Sequence, residues 1–218
     1  MKKDSLGINL SYKFLVLGDQ MVGKTSVLER YINRTFKANY LMTIGMDKRF
    51  KRLEINNTDV DIFITDTAGQ ERFRSLTKMF YKGADGILVG FSLTEKESLK
   101  SVEYWINEIN QNCSKEYPIS LVLFGNKCDD KENIQVEPNE IEEIKNKYNL
   151  TYFETSAKDN INVQNVFEYL TKLTIIKKGD LPKIGLKEGA SFDDIIIQEK
   201  ENQKLEVKKT KPKKKKLC

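Results

Sequence analysis

Histidine is absent from all 218 residues, so imidazole chemistry is excluded, both a Ser-His triad and a His-ligated zinc. The three cysteines, Cys113, Cys128 and Cys218, lie too far apart for a disulfide framework, as expected for a reducing, cytosolic compartment. No apolar run approaches the ~18 residues of a membrane span. Residues Met1–Gly7 lack the apolar stretch and cleavage site of a signal peptide. An excess of one charge is also missing from most of the chain. Residues 208–218 hold seven lysines and no acid; without them, the formal +5 leaves residues 1–207 at −2. A mildly acidic body with one cationic end does not suit a whole-surface nucleic-acid binder. It suits a terminus that seeks an anionic surface.

What is present is αβ alternation. A hydrophobic fraction of 39% supplies a core, and a body of roughly 150 residues buries about two-thirds of its unfolded surface. Phe14–Leu17, Ile87–Val89 with Phe91, and Ile119–Phe124 read as strands buried on both faces, as in a parallel sheet. Residues 48–55 and 60–65 flank Asn56-Asn57-Thr58-Asp59 and predict a hairpin, hence one antiparallel edge strand. Thr94-Glu-Lys-Glu97 predicts a capping box ahead of Leu99, Val102, Trp105, Ile106 and Ile109 at helical spacing. Pro138 suits a helix's first turn, and Val163, Val166, Phe167, Leu170 and Leu173 form a further one-sided stripe. Beyond Lys178 the pattern fails. The expected organisation is an extension at 1–9, a single domain at 10–178, and a disordered tail at 179–218.

The first strand runs into Gly18-Asp-Gln-Met-Val-Gly23-Lys24-Thr25, a match to G-x-x-x-x-G-K-[ST]. Glycines let such a loop wrap with successive N–H groups pointing inward, at a helix start whose dipole favours anions. Lys24 can reach phosphates and the Thr25 hydroxyl can ligate Mg²⁺. The match names a phosphate, not a nucleotide. Asp66-Thr-Ala-Gly69-Gln70, Asn126-Lys127-Cys128-Asp129 and Thr155-Ser156-Ala157-Lys158 each follow a strand, where α/β sheets place ligands.

With these four motifs in order, residues 10–178 resemble the Ras-like small GTPases. The resemblance implies a P-loop GTPase domain: a six-stranded, mostly parallel sheet with helices on both faces. It implies GTP/GDP and Mg²⁺ as ligands, with Gly18, Asp19, Gln20, Met21, Val22, Gly23, Lys24, Thr25 and Ser26 around the phosphates. Asp129 would select guanine, with Asn126, Lys127, Ser156, Ala157 and Lys158 completing the base pocket. Phe36 would cover the guanine edge-on and Tyr40 would line the same loop. Thr25, Thr43 and Asp66 would hold the metal, Asp66 through water. Lys24, the Gly69 amide and Gln70 would be catalytic, Gln70 by orienting the attacking water.

Within that group the wording is similar to Rab proteins, as in Asp66–Phe73, Phe80–Ala84 and Ile44–Asp47. Lys48 and Thr65 stand where Rabs usually place aromatics that, with a residue matching Phe80, face effectors. Gln20 stands where many small GTPases have Gly or Ser, and Met21 is bulkier than usual there. Lys213-Lys-Lys-Lys-Leu-Cys218 resembles a prenylation site, though Rabs generally end in two cysteines or a Cys followed by three residues. The resemblance implies a slow, monomeric, membrane-attached switch on the cytoplasmic face of an intracellular or plasma membrane. Its partners would be an exchange factor, an activating protein, a GDP-dissociation-inhibitor-type prenyl chaperone and GTP-state effectors. A module that holds GTP without hydrolysing it is the alternative. A P-loop kinase is a weaker rival, because Asn126-Lys-x-Asp129 has no role in one.

Overall fold

The computed structural model describes residues 10–37, 46–67, 81–113 and 119–199. Strand β1 (Leu10–Gly18) runs through the middle of the sheet, with β3 (Thr58–Thr67) and β4 (Gly86–Ser92) parallel to it on either side. Its Phe14–Leu17 run is apolar on both faces because both faces are covered. Phe14 and Val16 enter one core cluster, and Leu15 and Leu17 enter the other. β5 (Ser120–Asn126) and β6 (Thr151–Glu154) continue the parallel array beyond β4.

β2 (Met46–Ile55) pairs antiparallel with β3, as the alternating pattern predicts. The turn is tighter than the sequence suggests. Asn56 and Asn57 alone make it, both with positive φ (47° and 62°), a backbone that asparagine tolerates and that matches strand twist. Helices α1 (Lys24–Asn33) and α4 (Val163–Lys177) cover one face, and Tyr31 of α1 stacks on Phe167 of α4 at 3.9 Å. Helices α2 (Lys96–Asn112) and α3 (Pro138–Tyr148) cover the other, through Leu99, Val102, Trp105, Ile106, Ile109 and Ile141. The capping box expected at Thr94–Glu97 is not made. Thr94 bonds Ser92, Glu95 is the N-cap, and Ser98 Oγ closes on the Glu95 and Ser92 carbonyls. The capping box lies instead on α3, between Glu137 and Glu140.

Two expectations are corrected. The sheet has seven strands, in the order β6-β5-β4-β1-β3-β2-β7, and the seventh comes from the stretch read as disordered tail. After α4 the chain turns at Gly179 (φ 68°), makes a short 3-10 helix (Leu181–Ile184), and crosses to the hairpin as β7 (Ile197–Glu199) on the free edge of β2. Leu181, Ile184 and Ile195 are buried in the α1/α4 core, and Phe192 packs on Tyr169 at 4.7 Å. The side chain of Asn56 donates to the Asp194 carbonyl and accepts from the Ile196 N–H. The folded body therefore continues past Lys178 to at least Glu199. The expected extension (1–9) and the basic end (200–218) lie outside the described residues.

Candidate functional site

All four motifs emerge from the C-terminal ends of parallel strands, along one rim of the sheet. The loop Gly18–Gly23 is shaped by close approach. A Cβ on Gly18 (φ 140°) would lie 2.2 Å from the Gly90 carbonyl oxygen, and one on Gly23 (φ 95°) 2.2 Å from Asn126 Nδ2. Two motifs more than a hundred residues apart are thus in contact through a glycine. Helix α1 starts at Lys24 with no side-chain cap, so its first N–H groups remain available to an anion.

Lys24 is buried, and its ammonium donates to the carbonyls of Gly18 (2.9 Å) and Asp19 (2.7 Å), with its third donor unused among the described residues. Burial lowers its pKa to about 8, against the pull of Asp66 and Asp19. Asp66, at the end of β3, is completely buried. Its Oδ2 accepts from the Thr25 hydroxyl, and its Oδ1 has no hydrogen-bond partner among the described residues. Burial raises its pKa to about 6, with the Thr25 bond and Lys24 opposing. A buried carboxylate oxygen without a donor, beside a threonine hydroxyl, is the donor set of a hard divalent cation. Thr25 and Asp66 therefore fit Mg²⁺.

The base side is equally built. Asn126 donates to the Val22 carbonyl (2.9 Å) and accepts from the Ala157 amide (3.2 Å), locking the phosphate loop to the loop after β6. Asp129 accepts from Ser156 Oγ at 2.6 Å, and Lys158 Nζ stands 3.6 Å from its other oxygen. Lys127 holds a left-handed backbone (φ 70°), which turns the motif after β5. Phe36 is half-buried and packs against the α1/α4 core. Gln20 and Met21 are exposed, Met21 at 66% and with φ 64°. Lys48 is exposed and Thr65, directly across from it, is buried; two pairs further along, Phe50 and Phe63 make ring contact at 5.4 Å. Tyr40, Thr43, Gly69, Gln70, Phe80 and Cys218 lie outside the described residues.

Sequence reasoning missed two residues. Arg30 of α1 donates to the carbonyls of Ala157 and Lys158, both at 2.8 Å, and so clamps the base loop from below. Trp105 of α2 donates its indole N–H to Asp19 Oδ1 at 2.9 Å, bracing the phosphate loop. Trp105 reads as core from its helical spacing, and Arg30 belongs to no motif. Neither carries a local signal.

A phosphate loop, a buried cation-ready Asp-Thr pair and the Asp129–Ser156 pair on one sheet rim give the chain the architecture of a P-loop protein. Residues 13–176 match the Ras family. The chain is 32% identical to Ras-related protein Rab-13 of Rattus norvegicus over 88% of its length and 93% of the relative's. It is 37% identical to Ras-related protein Rab-8A of Bos taurus over 74% of its length and 77% of the relative's. The chain belongs to the Ras family, as a divergent Rab-like GTPase.

Proposed function

We propose that this protein is a slow GTP-hydrolysing switch that works on a membrane in vesicle traffic, cycling with the cytosol. The observation that carries the nucleotide part is the buried Thr25–Asp66 pair with its orphan Oδ1, set beside Lys24 and the uncapped start of α1. Mg²⁺ held by Thr25 and Asp66, with Thr43 added when a γ-phosphate is present, would neutralise charge developing on the phosphates. The chain's own groups do the rest. The loop amides and the third Lys24 donor bind phosphate oxygens. Asp129 accepts from guanine donors while Ser156 fixes its orientation, and the Ala157 amide, held by Asn126, meets the guanine oxygen.

Gly69 and Gln70 are assigned the γ-phosphate and the attacking water by family resemblance. In this reading an activating protein supplies the stabilising charge in trans. An exchange factor, a GDP-dissociation-inhibitor-type chaperone and GTP-state effectors complete the proposed cycle. The test is binding of GDP and GTP against ATP with and without Mg²⁺, followed by single-turnover hydrolysis. Micromolar or tighter, Mg²⁺-dependent guanine selectivity with slow turnover is expected; equal ATP affinity contradicts the reading.

Met21 favours a second reading, since a bulky exposed side chain stands in the phosphate loop in a left-handed backbone. Tight GTP binding with no single-turnover hydrolysis would establish that reading, a GTP-holding module.

A further inference from the structure

A cavity lies on the α2/α3 face of the sheet, between β6, the start of α3 and the loop that precedes it. It has a volume of about 270 Å³. Leu93, Val136, Ile141 and Tyr152 form its apolar interior, and Ile134 at its mouth is 42% exposed. The Tyr152 hydroxyl is buried and finds no hydrogen-bond partner among the described residues. Glu137, Glu142 and Glu154 stand on its rim. The surrounding stretch 130–143 holds six carboxylates and one lysine, Lys131. Lys96 pairs with Glu140 at 2.7 Å and Lys145 with Glu142 at 2.6 Å, but the field there remains strongly negative. An occupant must bring an apolar side chain for the interior and several positive charges for the rim.

The chain carries such an occupant. Residues 208–218 end Lys213-Lys-Lys-Lys-Leu217-Cys218, a cationic run that closes on one apolar residue. We propose that this end docks on its own body, with Leu217 in the cavity and the lysines against Glu137, Glu142, Glu154 and the other 130–143 carboxylates. The reach is sufficient. β7 and β6 are opposite edges of a seven-stranded sheet, six spacings of ~4.8 Å or roughly 29 Å apart. The chain from Glu199 to Leu217 spans up to roughly 60 Å. Tethering also presents the basic end at an effective concentration on the order of millimolar, which favours it over a free basic peptide. Docked, the lysines and Cys218 are withheld from an anionic surface; released, they are available to it. The inference depends on charge, cavity and chain length, and not on hydrolysis or on a lipid at Cys218.

The test uses the full chain with a nitroxide on Cys218. Cys113 is half-exposed, so Cys113→Ser is introduced; Cys128 is buried, and Cys218 is then the thiol that takes the label. Amide signals of 134–142 and 152–154 should broaden, and 0.5 M salt should restore them. Glu142→Gln with Glu154→Gln should weaken docking about fivefold, as two exposed charge pairs are lost. Leu217→Ser should weaken it at constant charge. Absence of broadening there, or broadening indifferent to these changes, overturns the proposal. So does broadening carried over to an isotope-labelled chain mixed with spin-labelled unenriched chain, because the occupant is then the end of a second copy.

Discussion

The hydroxyl of Tyr12, in the first strand, donates a 2.8 Å hydrogen bond to Asp180, 168 residues later. Both residues are buried, and Lys183 closes on the other Asp180 oxygen at 2.6 Å. Nearby, Asp85 accepts from the Lys13 backbone at 2.8 Å and from Lys178 at 2.5 Å. The segment after α4 is therefore fixed to the opening strand of the sheet by one buried hydrogen bond and more exposed ion pairs around it, and then to β2 by a strand ladder. It is part of the domain it leaves.

Adjacent residues of that segment provide the test. Ile195 is fully buried and Ile196 is 58% exposed. Ile195→Ala should cost about 2–5 kcal/mol through lost burial and a residual cavity. Ile196→Ala should stay within about 0.5 kcal/mol. Urea denaturation of both variants reads the difference, and equal effects would mean that the segment does not pack as described.

In the proposed function Asp129 sets base choice, and its carboxylate is held by the Ser156 hydroxyl at 2.6 Å. Asp129→Asn presents an amide where guanine needs acceptors, so GDP affinity should fall by the cost of unmet buried polar groups, ~1–3 kcal/mol each. XDP should become the preferred ligand. Retained GDP preference in a competition titration would show that the pocket is assigned wrongly.

Arg30 acts one layer out. Removing it frees the Ala157 and Lys158 carbonyls, each held at 2.8 Å, without touching any group that meets the base. Loss of two charge-assisted bonds at a partly exposed site should loosen the loop by about 1–2 kcal/mol. Arg30→Ala should then release a fluorescent GDP analogue roughly tenfold faster in stopped flow, with little change in Tm. Unchanged release would make the clamp structural only.

Met21 holds φ 64° with its side chain mostly in solvent, so the backbone strain is offset by little packing. Met21→Gly should stabilise the protein by up to about 1 kcal/mol, the strain relief outweighing the added unfolded-state entropy. Met21→Ala keeps the strain and should stabilise nothing. Chemical denaturation of the pair separates the two terms.

The sequence made legible whatever is periodic or contiguous. β1, β4 and β5 announce themselves as unbroken apolar runs because parallel strands are covered on both faces. The phosphate loop and the Asn126–Asp129 motif are contiguous, so their chemistry survives without a structure. The 179–199 segment does not. Leu181 with Ile184 and Ile195 with Ile197 are single pairs too short to set a helical or strand period, and they lie among lysines, aspartates and glycines, so the average looks like a tail. Their burial comes from a groove between α4 and the hairpin that exists only once the sheet has formed. Arg30 and Trp105 were hidden for a related reason, since the site residues they hold are 86 or more residues away in sequence.

The proposed membrane attachment combines two weak contributions beyond Glu199. One lipid chain gives marginal, reversible binding, so stable attachment takes a second signal. Each lysine near an anionic leaflet adds about 1 kcal/mol, falling off within a Debye length. The seven lysines of 208–218 flank Cys218 closely enough for several to act together. Cys218→Ser should therefore release the protein to the cytosol with every lysine in place. Replacing Lys213, Lys214, Lys215 and Lys216 with Gln should leave the chain lipidated but bound loosely, so that a modest rise in salt strips it from anionic vesicles. Fractionation of cells expressing each variant, with mass spectrometry of the C-terminal peptide, reads both outcomes. A Cys218→Ser protein that stays on membranes, or an unmodified Cys218 in the wild-type chain, would defeat the anchor. The lysine run would then be an address for a partner or for nuclear import.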